Sequence, residues 1–188
     1  RGLAGPFGLS CSNSSNIIKG VESLAGRIND FNFPELSFKE FLFFKGKQNL
    51  FDSVSEKATE LAFLDYLKRP FPEIAVKDDI SPEQYVEGIV KKVVYEDLPT
   101  VFPVDEPQLL YKLFALVCSH PGMLVDYNAI ASDLGRNRKT ISNYFEYLEE
   151  GFLVRKLYNY STNPLTSEKK LKKFYPTLAC FAKDSIEP

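Results

Sequence analysis

Read from its first residue to its last, the chain alternates between apolar stretches at helical spacing and segments broken by glycine, proline and serine. The opening "RGLAGPFGLSCSNSSNIIKG" is a loop with room for a short strand at "FGLS". An amphipathic helix is expected over 15–27. "INDFNFPELSFKEFLFFKG" predicts an extended piece and then a helix. Ser37 is its N-cap, Glu40 closes a capping box, and Gly46 stops it. A second helix is expected over 52–68, where Ala58, Leu61, Leu64 and Leu67 repeat at helical spacing. "RPFPEIAVKDDISP" carries three prolines and reads as a loop. Ser81 and Pro82 then open a helix whose buried stripe is expected to be Tyr85, Ile89 and Val93. "PTVFPVDEP" breaks the chain again and suggests a domain boundary near residue 103.

Beyond that break the pattern changes character. "EPQLLYKLFALVCSHPGM" is a helix ended by Pro121–Gly122. "DYNAIASDLG" is a short helix capped by Asp126 and stopped by Gly135, and a further helix covers about 138–150. "LVRKLYNY" and "KKFYPTLACF" read as two strands joined by the polar loop "STNPLTSEKKL". Three helices followed by a hairpin predict a mainly α chain, with a helical lid region and a winged helix-turn-helix carrying a small β-hairpin wing. Ile141, Phe145 and Leu148 fall on one face and should meet the core, as should Ile130, Ala131 and Leu134.

Composition adds little to the fold but narrows the function. With 44% hydrophobic and 26% charged residues, the chain is that of an ordinary globular protein. Its sixteen Phe and ten Tyr supply ample core material. The net charge of −2 excludes a globally basic nucleic-acid binder, so any such surface is a local patch. Cys11, Cys118 and Cys180 lie far apart and His120 is the only histidine, which leaves no zinc-ligand spacing. Sparse cysteines suit a cytoplasmic protein, and no apolar run is long enough to span a membrane. His120, beside Pro121–Gly122, reads as a turn residue rather than a catalytic base. No nucleophile–base pair is evident, and the chain is not expected to be an enzyme. Because it begins with Arg1 and its single methionine is Met123, it is expected to be part of a longer protein.

The candidate chemistry sits in the helix-turn-helix. With the apolar face turned inward, Asn137, Arg138, Lys139, Thr140, Ser142 and Asn143 point outward near the start of the second helix. There they would meet phosphates or base edges in a major groove. Between 136 and 173 the bases Arg136, Arg138, Lys139, Arg155, Lys156, Lys169, Lys170, Lys172 and Lys173 outnumber the acids Glu146, Glu149, Glu150 and Glu168. The DNA-contacting set is therefore Arg136, Asn137, Arg138, Lys139, Thr140, Ser142 and Asn143, with Lys169, Lys170 and Lys172 from the wing. The competing use of the same shape is protein or intramolecular docking without DNA.

Four segments in order resemble one family. "SLAGRINDFNFPELSFKEFL" (23–42), "FPEI" (71–74) with "YVEGIVKKVVYEDL" (85–98), "YNAIASDLGRNRKTISNYFEYLEEGFLVRKLYNY" (127–160) and "KKFYPTLACF" (172–181) are similar to segments of prokaryotic, archaeal-type AAA P-loop ATPases with a C-terminal winged helix. The resemblance implies that the chain is the part after the phosphate loop. Residues 1–50 would be the end of the ATPase core, 51–103 a helical lid and 104–188 the winged helix. It implies ATP and Mg²⁺ in the longer parent, an upstream ATPase core, and a nuclease-like domain downstream. It also implies that Ser12 or Asn13 and Arg27 sense nucleotide. No G-x-x-x-x-G-K-[ST] loop occurs in the chain, so no cofactor and no ATP hydrolysis are expected of it alone.

Overall fold

A computed structural model describes residues 34–51, 56–160 and 171–182. The expected helix over 15–27 lies outside them. The elements in chain order are α1 (Phe38–Phe44), a 3₁₀ turn (Gln48–Phe51), α2 (Glu56–Lys68), α3 (Pro72–Val76), α4 (Pro82–Lys92), a π-turn (Val93–Asp97) and α5 (Leu98–Val101). There follow α6 (Pro107–Ser119), β1 (Met123–Val125), α7 (Tyr127–Asp133), α8 (Arg138–Glu150), β2 (Val154–Leu157), β3 (Lys172–Pro176) and a 3₁₀ turn (Ala179–Phe181). The chain is mainly α with a small antiparallel sheet.

A first cluster forms around α1–α3. Ser37 caps α1 in a full capping box with Glu40. Gly46, at φ +65°, ends it, with its N–H donating to Phe43 O and the Lys47 N–H to Leu42 O. Phe41, Leu42, Ala62 and Ala75 are buried together. The expected loop at 69–82 holds helix α3. Pro72 fits the first helical turn, and Ile74 and Ala75 are fully buried, so burial stabilises a helix that the prolines disguise. Arg69 holds this corner: its guanidinium donates to Ile74 O at 3.0 Å and pairs with Asp65 at 3.1 Å.

The second cluster is the main core. The stripe on α4 is rotated by one residue from the expected Tyr85, Ile89 and Val93. Val86, Val90, Val94 and Leu98 are the buried set. Apolar doublets at 85–86, 89–90 and 93–94 make the two faces equivalent in sequence. The π-turn follows from that stripe. Each four-residue step overshoots a 3.6-residue turn by about 40°, and the wider turn, in which the Leu98 N–H donates to Val93 O, takes back part of the drift. It also accommodates Pro99, whose ring would strike the Tyr95 carbonyl in a regular helix. Leu98 thus points into the same core as Val86.

That core is shared with the rest of the chain. Val86 through Leu98 pack with Leu110, Leu113 and Val117 of α6, Ile141, Phe145 and Leu148 of α8, and Phe174 of β3. The buried cluster runs without interruption past residue 103. On α7, Ala131 is buried, whereas Leu134 is 37% exposed where the helix ends.

The sheet has three strands, not the expected two. Its order is β1–β3–β2, all antiparallel, with Met123 opposite Phe174, and Phe174 opposite Lys156. A helix, a short strand, two helices and two further strands in this sheet order make the winged helix-turn-helix arrangement, with the wing between β2 and β3.

Candidate nucleic-acid interface

The turn between α7 and α8 is built by local chemistry. The Asp126 carboxylate accepts from the Asn128 and Ala129 N–H groups and starts α7. Gly135 takes φ +61°, donating to Ser132 O, and the Arg136 N–H donates to Ala131 O at 2.8 Å. This double bond pattern closes a helix only where the residue past its end is left-handed, which glycine adopts without strain. The Asn137 side chain then caps α8 by accepting from the Lys139 N–H at 2.8 Å.

Helix α8 buries Ile141, Tyr144, Phe145 and Leu148. Phe145 lies against Phe174 with ring centroids 4.8 Å apart, and the Tyr127 ring packs on it at 5.6 Å. This seating fixes which side chains face outward. Arg138 and Lys139 are exposed, and neither side chain has an ion-pair partner among the described residues. Thr140, Ser142 and Asn143 are half-buried. Ser142 and Glu146 follow Arg138 at four-residue steps, so the acid lies about 12 Å further along the axis.

Arg136 stands apart from the other expected contacts. Its Nε and Nη2 donate to the two Glu106 carboxylate oxygens at 2.8 and 2.7 Å. That bidentate bond holds the Glu106 carboxyl below its ordinary pKa and raises that of Arg136. Arg136 is therefore committed to an internal partner 30 residues away, which no local sequence signal announces. The same linker is fixed twice more. The Glu106 N–H donates to the Tyr144 hydroxyl at 3.0 Å, and the Phe102 ring stacks on Tyr147 with centroids 4.4 Å apart.

At the wing, the Lys172 ammonium lies 5.7 Å from the Tyr158 ring centroid and that of Lys156 5.5 Å from it. Burial works against the Lys156 charge, but hydrogen bonds with Glu149, at 2.7 Å, and with Tyr158 more than offset it and raise its pKa. Glu149, one of the acids on the later turns of α8, is thereby neutralised by the wing. Lys169 and Lys170, and the expected nucleotide-sensing residues Ser12, Asn13 and Arg27, lie outside the described residues. The structure thus brings Arg138 and Lys139 to one exposed end, uses Asn137 as a cap, and withdraws Arg136.

Burial pushes the Cys118 and Cys180 thiols up to about 12, which leaves them protonated at neutral pH. His120 closes α6, its N–H donating to Leu116 O. Among the described residues no three His, Cys, Asp or Glu stand together to hold a metal ion, and no helix is long and apolar enough to cross a membrane.

No curated protein matches the chain, and no solved structure matches it. A family model described as a domain of unknown function, DUF8612, matches residues 66–177. The match opens in α2 and runs through α4, the helix-turn-helix and all three strands. Covering more than half of the sequence, it establishes that the chain belongs to the DUF8612 family.

Proposed function

We propose that this chain is a binding module that contacts duplex DNA through the N-terminal end of α8, with weak sequence preference. On this reading it is the regulatory part of an ATPase of the type its sequence resembles. The observation that carries the DNA contact is the exposed Arg138–Lys139 pair, without ion-pair partners among the described residues, on the first turn of the second helix of a helix-turn-helix. In that geometry the first turn of the helix enters the groove and its later turns rise away. Glu146 on the later turns is then carried away from the bases, and Glu149 is already paired to Lys156. Two exposed cations, with no ion-pair partner among the described residues to hold their side chains, attract phosphates but read no bases, because a bidentate base contact needs a held side chain. The contact needs no nucleotide, and the order of the four ATPase-like segments supports the assignment to a larger machine.

Fluorescence anisotropy with a labelled random duplex tests the reading. The expected dissociation constant is roughly 10⁻⁴ to 10⁻⁶ M near physiological salt, weakening as salt rises. R138A/K139A should weaken binding equally on unrelated sequences and flatten the log–log salt slope by about 2. Absence of binding at low salt, or an unchanged double variant, favours the protein-docking use of the fold instead.

A further inference from the structure

The sheet has a second face, turned away from α8. Phe174 points inward against Phe145, so its neighbour Lys173 points to the opposite side. Strand pairing places Leu124 of β1 and Leu157 of β2 on either side of Lys173 in one row. Both leucines are about half exposed, at 52% and 48%. In the next row Arg155 stands opposite Tyr175, whose ring lies across Gly122, where even an added Cβ would come within 2.8 Å of the hydroxyl. Lys173 and Arg155 are exposed and make no ion pair among the described residues.

We propose that this outer face docks an acidic, amphipathic protein segment, its apolar side chains on Leu124 and Leu157 and its carboxylates on Lys173 and Arg155. The leucines decide between partners. A phosphodiester backbone gains nothing from aliphatic side chains flanking a lysine, whereas a segment mixing apolar and acidic residues satisfies both kinds of group. The face lies across the sheet from α8, so docking here leaves Arg138 and Lys139 open. This assignment does not rest on the DNA reading.

The probe is a fluorescein-labelled twelve-residue peptide with Leu or Phe at helical spacing and Glu or Asp between, set against a twin carrying Lys in place of every acid. The full chain should bind the acidic peptide at least about tenfold more tightly than its twin. R155E/K173E should reverse that preference, and R138A/K139A should leave it unchanged. A circular dichroism melt of R155E/K173E matching that of the wild type shows that the reversal is read on a folded chain. Equal binding of both peptides, an unreversed preference, or displacement of the acidic peptide by unlabelled duplex DNA overturns the proposal. None of those results bears on whether R138A/K139A lowers DNA affinity.

Discussion

Glu106 sets how many cations the helix-turn-helix offers to a partner. Its carboxylate takes both guanidinium bonds of Arg136, two residues before Arg138. Glutamine at 106 keeps one acceptor and loses the charge, so Arg136 is released at the edge of the expected contact surface. E106Q should therefore tighten duplex binding and steepen the salt dependence by about one phosphate contact. The fold should barely respond, because the pair is exposed and screened. Acid should act in the same direction. The folded-state pKa of Glu106 is depressed, chiefly by the Arg136 hydrogen bond. The pair's contribution is thus fully present above the ordinary carboxylate pKa and is lost only as pH falls through the lower folded value. Anisotropy titrations of wild type and E106Q at neutral pH decide this. Equal affinities and slopes would show that Arg136 stays out of reach even when freed.

The elements divide into those announced by neighbouring residues and those decided across the fold. Ser37 with Glu40, Ser81 with Pro82, Asp126 and Gly135 all act within a few residues, and each marks its helix end in the structure as in the sequence. Strand β1 was not legible, because its three residues pair with Phe174 and its neighbours some fifty positions later. The buried face of α4 was not legible either, because apolar doublets leave periodicity undecided and only packing selects Val86 over Tyr85. The end of α8 falls at Glu150, as the sequence reading places it, but the residue that turns the chain there is chosen by packing. A glycine beside a helix end usually takes the left-handed position, but here Gly151 has φ −80° and Phe152 takes φ +57°. The reason is steric. A Cβ at Gly151 would stand 3.1 Å from a Leu98 methyl, so the glycine is spent on the close approach of α5 and Phe152 carries the strain. In an ordinary conformation Gly→Ala stabilises by about 0.4–1 kcal/mol. At Gly151 we expect the opposite sign, a loss of about 1–3 kcal/mol from overpacking. Denaturant unfolding of G151A measures it, and a gain in stability would mean that Leu98 yields freely.

At the scale of the whole molecule, the winged helix does not own its core. Val94 and Leu98 are fully buried and Val86 and Val90 nearly so, and all four pack into the cluster that contains Phe145, Leu148 and Phe174. The linker that follows is tied to the same core through Phe102 on Tyr147 and the Glu106 N–H on Tyr144. The family match likewise begins at residue 66, well before the proline-rich break. Proline spacing around 103 marks a bend in the chain, and the physical question is whether it also separates two units. Burying one Val or Leu side chain is worth about 1.5–3 kcal/mol, so removing four exceeds half the stability of a typical domain. A fragment starting at residue 104 should therefore lose cooperative unfolding or melt far below the full chain, while one starting at 81 should retain a single sharp transition. Circular dichroism melts of the two fragments beside the 188-residue chain make the comparison. If the shorter fragment melts as sharply and as high as the longer one, α4 is a separable neighbour and the boundary belongs at 103. If it does not, α8, with its exposed Arg138 and Lys139, and the outer face of the sheet are both held in place by a helix that lies outside the winged motif.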